Sequence, residues 1–193
     1  MKLYEKLPTG VVVNGKHYRL NLDFRNVLRM MEILDNDNLM PEARDYLALK
    51  CLMKRPRNVK PVLTAVKALL FPVDRKKNTG PKVTSFEHDA GLIRSAFRQV
   101  YHIDIFRSKL HWLEFIELLQ NLPEGNRYTE TVSIRARPLP EATKYNQKER
   151  EWLMKAKMQC ALPMSEEEAE TQYEKDVGNI FQGLLSMIPK EVK

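Results

Sequence analysis

The stretch from Ser108 to Leu122 constrains the fold most, because its apolar residues cover most of a helical circumference. These residues are Leu110, Trp112, Leu113, Phe115, Ile116, Leu118, Leu119 and Leu122. A helix that is apolar nearly all round belongs in the interior of a bundle, where neighbouring helices cover every face. We therefore expect this segment to be the central core helix, with Trp112 and Phe115 in the core together with Phe97.

A small hairpin is expected near the N-terminus, over about residues 11–20. Two short β-prone runs there flank the pair Asn14-Gly15. Asn-Gly is the pair best able to adopt positive φ at both central positions of a type I′ turn. An isolated two-stranded hairpin is only marginally stable in water, so we expect it to pack against the helical body.

Three helices are predicted in the rest of the first half, since apolar residues recur there at helical spacing. They run from Asn21 or Asp23 to about Leu34, from Pro41 to about Met53, and from about Asn58 to Phe71. The segment 72–83 (PVDRKKNTGPKV) then predicts a basic loop, because it combines Pro, Gly and Asn with cations and few apolar residues.

The second block is predicted to open with a helix, because Thr84 and Glu87 have the spacing of a capping box. Residues 127–135 are ambiguous between a strand and a short helix. A further helix is expected from about Asn146 until Pro163 ends the segment. Its predicted core-facing residues are Trp152, Leu153, Ala156 and Cys160.

Together these patterns predict a mainly α, multi-helix bundle-like domain over residues 1–163 with a small N-terminal β-hairpin. The basic loop 72–83 would divide it into two helical blocks. Residues 164–193 form a separate acidic, amphipathic segment that is also expected to be helical, since Ser165 and Glu168 repeat the capping-box spacing.

An apolar stripe follows in this C-terminal segment, at residues 173, 177, 180, 181, 184, 185 and 188. Gly178 and Gly183 within it each lower helix propensity by about 1 kcal/mol relative to Ala. A strongly apolar face on a weak helix is typical of an element that orders on docking, although packing on its own domain explains it equally well. The candidate partner-binding residues are Val177, Ile180, Phe181, Leu184, Leu185 and Ile188.

No enzymatic site is predicted. His111, Glu114 and Glu117 share one helical face at a spacing that could supply metal ligands. A matching pair on another helix is missing from the sequence, so these residues are better interpreted as the solvent edge of the central helix. The sequence contains no Gly-rich phosphate loop and no recognisable nucleophile motif. We therefore expect no catalytic residues, no metal and no cofactor.

The charge is uneven along the chain. The formal net charge is +7, and it divides into +9 over residues 1–83, +2 over 84–164 and −4 over 165–193. Such asymmetry suits either a polyanion or a contact between the acidic C-terminal segment and a basic surface on its own or a neighbouring copy. Base-reading or stacking side chains are not interleaved with the cations, so nucleic acid is the weaker alternative.

The sequence also indicates the compartment. The two cysteines, Cys51 and Cys160, suit a reducing environment, and no apolar stretch approaches the roughly 20 residues of a membrane span. The N-terminal residues lack the apolar region of a secretory signal. We expect a protein that works inside a cell, without a membrane.

Several short strings occur in a characteristic order and approximate spacing. They are Leu20-Asn21-Leu22-Asp23-Phe24-Arg25, Phe86-Glu87-His88-Asp89-Ala90, Ala96-Phe97, Tyr101-His102-Ile103-Asp104-Ile105, His111-Trp112-Leu113-Glu114-Phe115, Leu122-Pro123-Glu124-Gly125 and Ala161-Leu162-Pro163. Taken together, these strings resemble a family of small siphophage tail proteins, the "gene product fifteen" family. The resemblance covers about residues 7–163, with one departure at Leu113, where the family tends to have an aromatic residue.

The resemblance implies a non-catalytic tail assembly chaperone, encoded beside the tape-measure gene and active in the host cell cytoplasm. Its implied partners are the tape-measure protein and the tail-tube protein, and we also expect it to self-associate. The alternatives are a structural tail or connector component that stays in the virion, and a basic helical protein associated with nucleic acid.

Overall fold

The computed structural model describes residues 4–71 and 82–163 and is mainly α-helical, with a two-stranded antiparallel hairpin near the N-terminus. This confirms the predicted fold class. The elements are β1 (Gly10–Val13), β2 (Lys16–Arg19), α1 (Phe24–Leu34), α2 (Pro41–Leu52), α3 (Val59–Leu70), α4 (Ala90–Val100), α5 (Trp112–Gln120), α6 (Arg127–Ala136) and α7 (Gln147–Cys160). Most of the predicted basic loop, and all of the C-terminal segment 164–193, lie outside the described residues.

The hairpin forms at the predicted turn. Asn14 and Gly15 both have positive φ, at 51° and 73°, as a type I′ turn requires. Gly10 pairs with Arg19 at the open end, where a Cβ on residue 10 would lie only 2.1 Å from the carbonyl oxygen of Tyr18. The Tyr18 hydroxyl accepts a hydrogen bond from the Asn58 side chain at 2.8 Å, which attaches the hairpin to the start of α3.

The first helices begin where the sequence predicts. Asp23 caps α1, since its carboxylate accepts a hydrogen bond from the Arg25 backbone N–H at 3.1 Å. Pro41 occupies the first turn of α2, where its missing N–H costs no helical hydrogen bond. Pro61 lies in the first turn of α3 for the same reason.

The central helix is shorter than its sequence pattern predicts. It begins at Trp112 rather than Ser108, because the preceding backbone is used by another element. The Phe24 N–H donates to the Leu110 carbonyl at 3.0 Å, and the Trp112 N–H donates to the Leu22 carbonyl at 2.8 Å. These two hydrogen bonds align the starts of α1 and α5.

The core is an aromatic cluster centred on Phe115, which confirms the core positions predicted for Phe97, Trp112 and Phe115. The Phe115 ring stacks on Phe24 at a centroid distance of 4.5 Å and on Phe97 at 5.4 Å. Trp112 is 2% exposed, and its indole N–H donates to the Leu70 carbonyl at 3.4 Å. Within α5 only Trp112 and Phe115 are fully buried, and its other apolar residues are half-buried against the core. The helix therefore packs on the core with one face and is not covered all round, although its composition predicts full coverage.

In the second block the structure changes one local prediction and decides another that the sequence left open. The capping box at Thr84 does not open a helix, and α4 begins six residues later, at Ala90. The intervening Phe86 places its ring about 6 Å from those of Trp112 and Phe115, so the chain here follows the core instead of a helix axis. The ambiguous residues 127–135 belong to helix α6.

The described chain divides into two compact units. One contains residues 4–71 and 86–133, and the other contains residues 82–85 and 134–163. In the second unit, the Arg135 guanidinium donates to the carbonyls of Val83 and Cys160, while Lys157 donates to the Arg135 carbonyl at 2.7 Å. These bonds tie the end of α6 to the last turns of α7.

Candidate functional site

The residues predicted to contact a partner lie in the C-terminal segment. Val177, Ile180, Phe181, Leu184, Leu185 and Ile188 all fall outside the described residues. Their assignment stays a prediction. The described part of the chain nevertheless contains four polar or apolar surfaces that bear on function.

The first surface contains His111, Glu114 and Glu117. Both ring nitrogens of His111 are engaged, because Nδ1 accepts from the Leu113 N–H at 3.2 Å and Nε2 lies 2.9 Å from the Pro8 carbonyl oxygen. Since Nδ1 acts as an acceptor, the ring proton is on Nε2, which donates a hydrogen bond to the Pro8 carbonyl oxygen. His111 therefore caps α5 and holds the N-terminal strand region. Glu114 and Glu117 are exposed, in agreement with the solvent-edge interpretation.

The second surface is the start of α1. The Asp23 carboxylate receives two hydrogen bonds from the Arg25 guanidinium, at 2.8 and 2.7 Å. These bonds lower the pKa of Asp23 below its ordinary value, against the opposing effect of partial burial. A cleft of about 330 Å³ opens beside the pair, with residues Asn21, Asp23, Arg25, Asn26, Arg29 and Lys109 in its walls. With three cations and one carboxylate that is already paired, the cleft is positively charged.

A similar ion pair joins α4 to the loop that follows it. Asp104 accepts from the Arg94 side chain at 3.3 Å and also lies 3.8 Å from the Arg107 guanidinium. The hydrogen bond from Arg94 is the main reason that the pKa of Asp104 is lowered. The Arg94 guanidinium also lies over the Phe106 ring, 4.2 Å from its centroid. The arrangement orders the loop and leaves its carboxylate neutralised.

The third surface is basic and is formed by two stretches of the chain that contain no acidic residue of their own. Neither 6–22 nor 46–71 contains Asp or Glu, and the structure brings these stretches together because the Asn21 N–H donates to the Leu52 carbonyl at 2.8 Å. The two stretches carry nine exposed cations, namely Lys6, Lys16, Arg19, Lys50, Lys54, Arg55, Arg57, Lys60 and Lys67. They hold most of the excess positive charge of the first half.

The fourth surface is the exposed side of α7, and here one prediction is wrong. Trp152 was expected in the core, but it is 56% exposed, whereas its neighbour Leu153 is 2% exposed. Polar residues precede and follow Trp152 by one helical turn, at Lys148 and Lys155, and this pattern could have placed it on the solvent side. An exposed Trp is the type of side chain that dominates binding at protein interfaces.

Two methionines occupy another part of the same helix surface. Met154 and Met158 are four residues apart, so they share a face of α7, and they are 46% and 78% exposed. Beside Met154 lies a cleft of about 530 Å³, with walls formed by Ala142, Thr143, Lys144, Asn146, Gln147, Arg150, Glu151 and Met154. The fully exposed ring of Tyr145 lies in the same loop. We call Met154, Met158, Tyr145 and this cleft the methionine face.

The loop at one end of the methionine face is held by its own hydrogen bonds. The Asn146 side chain accepts from the Thr143 N–H at 2.9 Å and donates to the Glu141 carbonyl at 2.8 Å. The Arg150 guanidinium donates to the Pro140 carbonyl, which fixes the loop against the first turn of α7. Asn146 therefore begins α7 as predicted, although its side chain stabilises the loop rather than the helix end.

Within residues 4–71 and 82–163, no group of three His, Cys, Asp or Glu side chains is placed to hold a metal ion. None of the helices in those ranges combines the length and apolar character that a membrane span requires. Cys51 and Cys160 are both free thiols.

Comparison with known proteins identifies a family. The family model described as "Bacteriophage Gp15 protein" matches residues 3–162, and thus both units described above. No curated protein and no solved structure matches the sequence. Because the family match covers most of the chain, and in agreement with the resemblance found in its short strings, the chain belongs to the bacteriophage Gp15 family.

Proposed function

We propose that this phage protein is a tail assembly chaperone without catalytic activity. It binds the tape-measure protein, helps to recruit tail-tube subunits, associates with further copies of itself and acts in the host cell cytoplasm. The observation that carries the proposal is membership of the Gp15 family over residues 3–162, together with the tail-assembly role that the resemblance implies. The finer steps are argued from the surfaces of the chain.

Exposed apolar side chains support a role in binding helices. Trp152 and the methionine face lie on one short unit, and the apolar stripe at 177–188 follows it in sequence. Amphipathic helices bind such apolar surfaces through side chains spaced three or four residues apart. Methionine suits a surface that must accept many different helical sequences, because its unbranched side chain adapts to irregular contacts. A long helical tape-measure protein presents many such sequences.

The polar clusters support a non-catalytic role. The groups that most resemble catalytic residues are His111, Asp23 and Asp104. Each has a structural partner, since His111 caps α5, Asp23 caps α1 and pairs with Arg25, and Asp104 pairs with Arg94. A residue whose hydrogen-bonding capacity is used in this way has little left for a substrate.

Co-purification from cells tests the partners. We expect the tagged full chain, co-expressed with the tape-measure and tail-tube proteins of the same phage, to retain the tape-measure protein. The variant Phe181→Asp with Leu184→Asp should lose it, because two charges are placed in the apolar stripe. Asn179→Asp with Gln182→Asp adds the same charge off the stripe and should retain it. Equal retention by both variants would exclude the stripe as the binding surface.

Nucleic-acid binding is a second candidate, favoured by the basic stretches 6–22 and 46–71, which contain no Asp or Glu. Its affinity would fall steeply with salt, because neutralising each phosphate releases a counterion. Lys54→Glu with Arg57→Glu should then weaken binding to duplex DNA and reduce the salt dependence. Absence of binding by the wild-type chain at low salt would dismiss this function and leave the chaperone proposal intact.

A further inference from the structure

We propose that the C-terminal apolar stripe, residues 173–188, docks on the methionine face of α7 in the same chain, as the second arm of an antiparallel helical hairpin. In the chaperone proposed above, the tape-measure protein would then compete with the chain's own stripe. The inference itself depends only on α7, its preceding loop and the sequence that follows.

The connection after α7 has the length of a helix–helix turn. α7 ends at Cys160, and Ser165 begins the next capping-box pattern, so residues 161–164 join the two. Loops of two to five residues typically join antiparallel helices. Pro163 lies within this connection and cannot continue the first helix. The sequence therefore favours a reversal of direction at this point.

The chain can reach the methionine face. Tyr173 lies ten positions after Pro163, and extended chain spans up to about 33 Å over that length. The 14 residues of α7 are about 21 Å long. A stripe tethered at the end of α7 therefore reaches every part of the helix and the loop before it.

The register of a hairpin also matches the exposed side chains. Counting outward equally from Pro163 and Met164 brings Tyr173 level with Met154 and Phe181 level with Asn146, which is next to Tyr145. The centre of the stripe then faces the cleft of about 530 Å³ that adjoins Met154. Trp152 lies about 160° around the helix from Met154 and about 120° from Met158, and it is left uncovered.

The charges on the two arms are complementary. α7 carries four cations and two carboxylates, and residues 165–176 carry six carboxylates and one Lys. Docking would place the acidic arm beside the basic one and reduce the repulsion among cations on α7. Because the tether is short, its effective concentration is about 1 mM, well above a working protein concentration, so the chain's own stripe is favoured over that of a second copy.

Methionine oxidation in the wild-type full chain tests the docking directly. If the stripe did not dock, Met158, which is 78% exposed, should be oxidised by peroxide as fast as Met40, which is 74% exposed. In the docked hairpin Met158 lies level with Ala169, on the same arm as the stripe and one helical turn before it. With a contact as weak as Kd about 0.1 mM against an effective concentration of about 1 mM, oxidation of Met158 should therefore be about tenfold slower than that of Met40. Peptide mass spectrometry reads each methionine separately, and the fully buried Met30 reports whether the body stays folded.

Two comparisons complete the test. Phe181→Asp with Leu184→Asp should restore fast oxidation of Met154 and Met158, while Asn179→Asp with Gln182→Asp should leave them protected. Protection should be the same at about 1 µM and about 50 µM protein, since a tether acts independently of concentration.

Equal oxidation rates at Met158 and Met40 in the wild type would overturn the inference. So would protection that grows with concentration, which would place the stripe of a second copy on this face. The two proposals can fail separately. If the stripe variant lost tape-measure binding while Met158 was unprotected even in the wild type, the chaperone proposal would be supported and the docking inference overturned.

Discussion

Asp23 and His111 lie opposite each other in an isolated antiparallel β-bridge, and each caps the helix that follows it. The two caps place the N-termini of α1 and α5 side by side. The packing of Phe24 on Phe115, one and four residues beyond these caps, follows from that alignment. A single backbone contact between residues 88 positions apart thus sets the register of the aromatic core.

Removing the Asp23 side chain should destabilise the fold. Asp23→Ala deletes the cap of α1 and the ion pair with Arg25, so the free energy of unfolding should fall by about 1 to 2 kcal/mol. Asp35→Ala is the matched control, since Asp35 is exposed and lies at the other end of the same helix. Urea denaturation of both variants measures the difference. Equal effects would show that the Asp23 cap contributes little to the stability of the fold.

Acid should destabilise the protein partly through Asp23 and Asp104. Arg25 and Arg94, respectively, hold their pKa values below the ordinary one in the folded state. As the pH falls, the two carboxylates are therefore protonated in the unfolded chain before they are protonated in the folded protein. The stabilisation that Asp23 and Asp104 contribute is complete above about pH 4, and it is lost as the pH drops through their lowered pKa values in the folded state.

The double variant Asp23→Asn with Asp104→Asn should thus lose less stability than the wild type between about pH 6 and about pH 3. Thermal unfolding across that range measures both slopes. Parallel slopes for variant and wild type would contradict the lowered pKa values, whatever the stability of the variant at neutral pH.

The aromatic cluster should depend on Phe115 more than on any exposed ring. Phe115→Ala removes stacking on two rings and leaves a cavity, so the free energy of unfolding should fall by about 3 to 5 kcal/mol. Phe106→Ala removes an exposed ring that contacts Arg94 and should cost less than about 1 kcal/mol. Denaturant titrations measure the free energy of unfolding of both variants. Similar losses in the two would show that the core is not centred on Phe115.

The two tryptophans should differ in solvent access. Trp112 is 2% exposed and Trp152 is 56% exposed, and the proposed hairpin leaves Trp152 uncovered. Acrylamide should therefore quench a large fraction of the wild-type fluorescence, and Trp152→Phe should remove that fraction. If the emission of the wild type resisted quenching, another part of the chain or a second copy would have to cover Trp152.

Local sequence signals predicted the helices and the hairpin well, because their chemistry acts over a few residues. Asn14-Gly15 specified its turn, Asp23 its cap and Pro41 its helix start. The core positions of Trp112 and Phe115 followed from the apolar circumference of their segment. Each of these features depends only on neighbours in the chain.

The errors arose where distant residues compete for the backbone or for burial. Thr84 has the right spacing for a cap, but the half-buried Phe86 packs against the aromatic cluster and the helix begins only at Ala90. Ser108 begins an apolar run, but the Leu110 carbonyl bonds to the start of α1 instead. Trp152 was assigned to the core by its hydrophobicity, although its polar neighbours on α7 place it towards solvent.

The most direct test of the chaperone proposal is quantitative mass spectrometry of purified virions against extracts of infected cells. A chaperone acts on the tape-measure protein during assembly and then leaves, so the chain should be abundant in the extract and absent from the virion. Its presence in the virion in a fixed ratio to the tail-tube protein would contradict the account and identify it as a structural tail component.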